Sequence, residues 1–161
     1  MQYRLEGSAF LSPLRDHVLV LRAGAQSVSA YGSTDQIPLP VRLYMGGVSD
    51  LRGFGYRTVS PVDAEGDLTG GEATWFSTVE YLYPLGRIVD IAVYFDTGNV
   101  SDEGFSFIDE GPVSNWGVGF LIRADNFPVR FDVAFPVNTY SFDTENEKGD
   151  ARISFSAGYR Y

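Results

Sequence analysis

The residues best suited to chemistry are two carboxylates, Glu80 and Asp96, a lone histidine, His17, and a glycine-rich stretch over 46–55. Paired carboxylates can hydrolyse glycosides when one acid is tuned apart from the other. Nothing around Glu80 or Asp96 marks such tuning. Facing each other without a cation, two acids would instead raise the pKa of one of them. A Ser-His-Asp set would have to recruit His17, because the chain has no second histidine. His17 sits beside a short turn at a strand start, the place of a surface or interfacial residue. The stretch 46–55 is not a phosphate loop, since no Gly-Lys-Ser/Thr follows and no helix opens there. Without cysteine there is no thiol nucleophile, disulfide framework or Cys-ligated metal. The reading is non-enzymatic, with no cofactor and no metal.

The elements that position these residues follow from period. Apolar residues alternate strictly over roughly 2–11, 17–26, 73–83, 88–97, 115–124, 128–136 and 151–161, the signature of β-strands. Aromatic residues make up 15% of the chain, which suits pleated surfaces. One register is free of charge, as in Val89, Ile91, Val93, Phe95 and Thr97, or Trp116, Val118, Phe120, Ile122 and Ala124. The opposite register holds Arg4, Glu6, Arg22, Glu80, Asp90, Asp96, Arg123, Arg130, Asp132, Arg152 and Arg160. Such segregation is what a sheet between two solvents requires.

Alternation fits a soluble barrel with the apolar face inward or a membrane barrel with it facing lipid. Each strand approaches the about 9–11 residues that a tilted strand needs to cross a bilayer. The connections run short (12–16), long (27–72), short (84–87), long (98–114), short (125–127) and long (137–150). Short periplasmic turns alternating with longer extracellular loops favour the membrane barrel. Trp75, Trp116, Tyr81, Tyr83, Tyr159 and Tyr161 then read as an interfacial girdle, or else as a carbohydrate or partner platform. The acidic loops read as solvated surface, with cation bridging to lipopolysaccharide as an alternative. A net charge of -9 excludes nucleic acid as a partner. An odd strand count places residue 1 outside and the C-terminus in the periplasm. With no secretory signal in the first residues, that is the expectation for the C-terminal part of a larger barrel, which pairs with missing N-terminal strands or with another copy.

Gly46-Gly47-Val48-Ser49-Asp50-Leu51-Arg52-Gly53-Phe54 resembles the Gly-Gly…(Val/Leu)-Arg-Gly-(Phe/Tyr) loop of the BamA/TamA superfamily. Tyr94-Phe95-Asp96-Thr97-Gly98 is similar to that superfamily's (Phe/Gly)-x-Asp-x-Gly strand, with Tyr94 a departure at the first position. Pro128 to Pro136 resembles its penultimate strand, and Ile153 to Tyr161, with Phe155, Tyr159 and Tyr161, its C-terminal insertion signal. The superfamily groups outer-membrane assembly factors, two-partner-secretion transporters and bacterial surface antigens. The resemblance implies a transmembrane antiparallel β-barrel of about sixteen strands, to which residues 1–161 contribute the last seven. It implies a loop, about 40–62, folded into the lumen, with Arg52 meeting Glu80 and Asp96. Removal of Arg52 would then strand both acids. The implied partners are outer-membrane lipid and lipopolysaccharide, and client outer-membrane or secreted polypeptides. The implied role is insertion or translocation of polypeptides. The alternative is a barrel that only anchors a surface antigen or a patatin-like passenger.

Overall fold

The computed structural model describes residues 1–30, 37–102, 111–123, 128–138 and 150–158. Seven strands follow one another: β1 (Gln2–Leu11), β2 (Val18–Val28), β3 (Ala73–Pro84), β4 (Val89–Ser101), β5 (Val113–Ile122), β6 (Val129–Asn138) and β7 (Arg152–Ala157). They form one antiparallel sheet in the order β1-β2-β3-β4-β5-β6-β7. Each strand pairs with its sequence neighbour, the simplest outcome when the connections do not cross. Several strands outrun their apolar alternation at the long-loop end. β4 continues to Ser101 and β5 begins at Val113, because Gly98, Val100 and Val113 lie beneath the long connection, where the outward partner need not be apolar. Pro136 donates no ladder hydrogen bond and sits where the β5–β6 register shifts: Ser114 faces Asn138 and Asn115 faces Pro136, leaving Val137 as the extra residue. β7 is described only to Ala157; Tyr159, Arg160 and Tyr161 lie outside the described residues, as does Ala124.

The two faces have opposite character, inverted from a water-soluble protein. On β4, Val93 is 52% exposed whereas Ala92 and Asp96 are fully buried. Phe120 and Phe131 continue the exposed apolar register, and Asn115 and Asp132 the buried polar one. Exposed hydrocarbon with buried charge is stable only where the outer solvent is itself apolar. Aromatic pairs brace the outer face at both ends. Trp116 stacks on Phe135 with ring centroids 4.7 Å apart towards the long-loop end. Towards the short-turn end His17 Nδ1 lies 2.6 Å from the Tyr81 hydroxyl, and its ring meets the edge of Tyr83 at 5.1 Å. His17 is therefore a rim residue held by two tyrosines.

The inner face is covered by the connection between β2 and β3. A 3-10 turn over Leu39–Val41 leads into it, and isolated bridges pair Leu43 with Gly71, Met45 with Val59 and Val62 with Leu68. Among the described residues no helix is long and apolar enough to cross a membrane. Among the described residues, too, β1 and β7 each pair with one neighbour, and no ladder joins them to each other.

The outward register makes a direct prediction. Spin labels placed singly at Val93, Phe120 and Phe131 are expected to be relaxed by lipid-soluble quenchers and spared by water-soluble ones. Relaxation by the water-soluble reagents at all three sites would show that this face does not meet the bilayer.

Candidate functional site

The covering loop is built by its glycines and its apolar residues. Gly46 and Gly47 take φ of 108° and 104°, conformations that cost other residues strain. The Asp50 carboxylate accepts from the Gly46 N–H at 3.0 Å and from the Leu51 N–H at 2.7 Å, fastening the turn from inside. Burial pushes the Asp50 carboxyl above the usual range, against those two backbone hydrogen bonds. Leu51 and Phe54 point to the sheet and are buried with Met45, Val59, Val100 and Val113, with Phe76 against them. Burying each of the two contributes about 1.5–3 kcal/mol. Between them Gly53 passes close over β5: a Cβ there would stand 2.5 Å from Asn115 Cβ and 2.9 Å from its Cγ. Gly98 does the same on the wall, where a Cβ would meet Met45 Cε at 2.9 Å and the Trp75 carbonyl oxygen at 2.6 Å.

This packing leaves Arg52 on the polar part of the inner face. Its Nε donates to Asp96 Oδ2 at 2.8 Å and its Nη2 to Asp96 Oδ1 at 2.6 Å, a bidentate pairing. Its Nη1 donates to Glu80 Oε2 at 2.6 Å. The Arg52 backbone N–H and Asn115 Nδ2 also donate to Asp96 Oδ2, at 3.3 and 3.0 Å. Under the guanidinium lies the Tyr94 ring, its centroid 3.4 Å from Arg52 Cζ. Glu80 and Tyr94 are cross-strand partners, and Tyr94 in turn faces Gly117. A Cβ on Gly117 would collide with the Tyr94 hydroxyl, so glycine there lets the ring lie flat across β5.

A second cation, given no role by the sequence motifs, completes the site. Arg130 on β6 reaches Glu80 with two donors, Nη1 to Oε1 at 2.7 Å and Nη2 to Oε2 at 2.9 Å. It also grips Asp132, with Nε 2.7 Å from Oδ2 and Nη2 2.7 Å from Oδ1. The expectation that Glu80 depends on Arg52 is thus corrected: without Arg52, Glu80 keeps two of its three guanidinium contacts, and only Asp96 is stranded. Arg130 can span from β6 to β3 because the inward residues between them are small. Gly119 faces Asp132 and Ala92 faces Gly119, and a Cβ on Gly119 would strike the Asp132 carboxylate. The cue was legible as two glycines, Gly117 and Gly119, on the charged register of β5, though nothing in the spacing says which acid the arginine takes.

The remaining sequence-selected residues lie elsewhere. Phe155 is exposed on the outer face and packs on Phe131 with centroids 5.0 Å apart; Tyr159 and Tyr161 lie outside the described residues. Arg123 pairs with Asp90 at 2.8 Å near the short-turn end, and Arg22 with Glu6 at 3.0 Å. Among the described residues no group of acids and histidines has the arrangement of a metal site. The buried carboxylates face guanidinium groups, and Arg52 joins loop to wall by charge-assisted hydrogen bonds.

Comparison with known proteins agrees with this architecture. The Omp85 superfamily domain matches residues 1–161. The outer membrane protein assembly factor BamA of Nitratidesulfovibrio vulgaris is 29% identical over 158 residues, covering 96% of this chain and 20% of that protein. The sorting and assembly machinery component 50 homolog of Homo sapiens is 24% identical over 141 residues, covering 74% of this chain and 28% of that protein. The crystal structure of BamA from Haemophilus ducreyi lacking POTRA domains 1–3 superposes with a TM-score of 0.74 at 18% identity, over 98% of this chain and 35% of that one. This last likeness is one of fold. The chain spans well under half the length of these relatives.

The close passage at Gly53 generates a prediction. Gly53→Ala in the full-length protein is expected to lift the loop from Asn115, at a cost of about 1–3 kcal/mol, and to expose residues 41–60 to protease. Gly86→Ala, where an added Cβ meets nothing within 4 Å, is the neutral control. Equal protease resistance in the two variants would show that the loop does not depend on this contact.

Proposed function

The chain belongs to the Omp85 superfamily, and we propose that it forms the C-terminal part of an outer-membrane barrel that inserts or translocates polypeptides. The observation that carries this reading is the loop of residues 41–72, held on the inner face of a lipid-facing sheet by a buried, charge-assisted latch. A barrel that served only as an anchor would need a filled or open lumen. It would not need a loop whose position rests on directional contacts to a single carboxylate pair. The relatives named above carry assembly in their names, which favours this reading over an anchor for a surface antigen or a passenger.

In this reading the short turns and the C-terminus face the periplasm and the long connections face outward. Strands beyond this segment cover the free edges of β1 and β7, because an open edge in hydrocarbon leaves each unpaired N–H and C=O costing several kcal/mol. A seam between such edges gives a client strand somewhere to pair by β-augmentation. The in-folded loop sits beside the wall strands and sets how firmly they are tied to the lumen. The role is a binding and positioning one, with no bond made or broken. Lipid and lipopolysaccharide surround the apolar register.

The test is Arg52→Ala in the full-length protein, expressed as the sole copy. Assembly of other outer-membrane proteins is expected to fall several-fold, while the barrel itself still shows the heat-dependent gel mobility of a folded sheet. Undiminished assembly by a variant whose loop is protease-sensitive would remove the latch from the function and favour the anchor.

A further inference from the structure

We infer that Arg130 is a resident counter-ion that makes the loop releasable: it keeps both Glu80 and Asp132 paired with a guanidinium whether or not Arg52 is docked, so Asp96 alone latches the loop. The inference rests on the latch reading above and goes beyond it by dividing the acids into one that holds the loop and two that do not.

The division follows from donor counts. Asp96 receives four hydrogen bonds, of which Arg52 supplies three and Asn115 one. When Arg52 leaves, Asp96 keeps the neutral Asn115 donor and loses its cation, which destabilises a carboxylate set in the wall. Glu80 receives three, and Arg130 supplies two of them. Asp132 is held by Arg130, from its own strand. Arg130 belongs to the wall, on β6, and its partners belong to β3 and to β6 itself, so none of these contacts changes when the loop moves.

A wall without Arg130 would make Arg52 the sole cation for Glu80 as well as Asp96. Release would then strand two acids at once, and the loop would be locked. With Arg130 present, release costs the loss of one acid's partners. The Tyr94 ring serves both cations, with Arg52 Cζ at 3.4 Å and Arg130 Cζ at 5.6 Å from its centroid. The ring thus remains occupied by a cation after Arg52 departs. A cavity of about 190 Å³ borders Arg52, Arg130, Glu80 and Asp132, which gives the departing guanidinium space to take up water.

This role makes an unusual demand of Arg130. If it merely supported the wall, weakening it would loosen the loop; as a counter-ion that eases release, its loss must hold the loop tighter. The test uses the full-length protein in membranes with a single reporter cysteine, Val59→Cys, a position buried in the loop's apolar core. The reporter is probed by maleimide labelling. Arg52→Gln and Asp96→Asn are each expected to speed labelling roughly tenfold or more, and Glu80→Gln by less than about threefold, as donor counts imply. Arg130→Gln combined with Asp132→Asn, which removes one charge of each sign, is expected to label several-fold more slowly than the parent. Faster labelling of that double variant, with Arg52→Gln still opening the loop, overturns this inference alone. Unchanged labelling in Arg52→Gln overturns the latch and this inference with it. Should the double variant fail to form a heat-modifiable barrel, the comparison within native Arg130 decides: equal acceleration by Glu80→Gln and Asp96→Asn overturns the division of acids.

Discussion

Three carboxylates that share two cations, Glu80, Asp96 and Asp132, are buried on the inner face of a sheet whose other face exposes apolar side chains. Two guanidiniums, Arg52 and Arg130, answer them, leaving the cluster one negative charge in excess (two positive, three negative). An ionised carboxylate removed from water must find donors or lose its charge. This constraint explains why the loop must come inside, why its backbone is made of glycines where it turns, and why β5 carries glycines where side chains must cross it. The cluster is poor evidence of raw stability, since desolvation offsets attraction in buried ion pairs. Its effect is specificity of position: bidentate geometry admits one placement of Arg52.

Stability and position come from different residues of the same loop. Leu51, Phe54, Met45 and Val59 provide apolar burial that is indifferent to small shifts. Arg52 provides directional contacts that are not. A loop held this way can slide or lift without unfolding its own turn, because the Asp50 carboxylate and the Met45–Val59 bridge fasten it internally. An element that is internally ordered yet attached at few directional points suits a part that changes position during function.

Much of this was legible in the sequence. The charge-free register of Val93, Phe120 and Phe131 gave the strands and their two faces, because the period of two admits no intermediate answer; which face turns outward was read from the alternation of short and long connections. Arg52, Glu80 and Asp96 came from motif resemblance together with the observation that both acids share the charged register. Arg130 escaped because its partner is three strands away, and sequence alternation reports which face a residue is on but not how far its side chain reaches across that face. The stacking surface supplied by Tyr94 escaped for the same reason: its ring lies over Gly117, a cross-strand relation fixed by register and not by spacing along the chain. Strand ends were the least legible, since Gly98 to Ser101 and Val113 take their strand conformation from the loop packed beneath them.

The central claim is that Arg52 and Asp96 act on each other directly, and a double-mutant cycle tests it best. Unfolding free energies in lipid vesicles would be measured for the full-length parent, Arg52→Ala, Asp96→Ala and the pair. Arg52→Ala leaves Asp96 without its cation and Asp96→Ala leaves Arg52 with Glu80 as its remaining acid, whereas the pair removes both charges, so the losses should not add. A coupling of about 1.5–3 kcal/mol is predicted. Additive losses, with a coupling below about 0.5 kcal/mol, would contradict the latch.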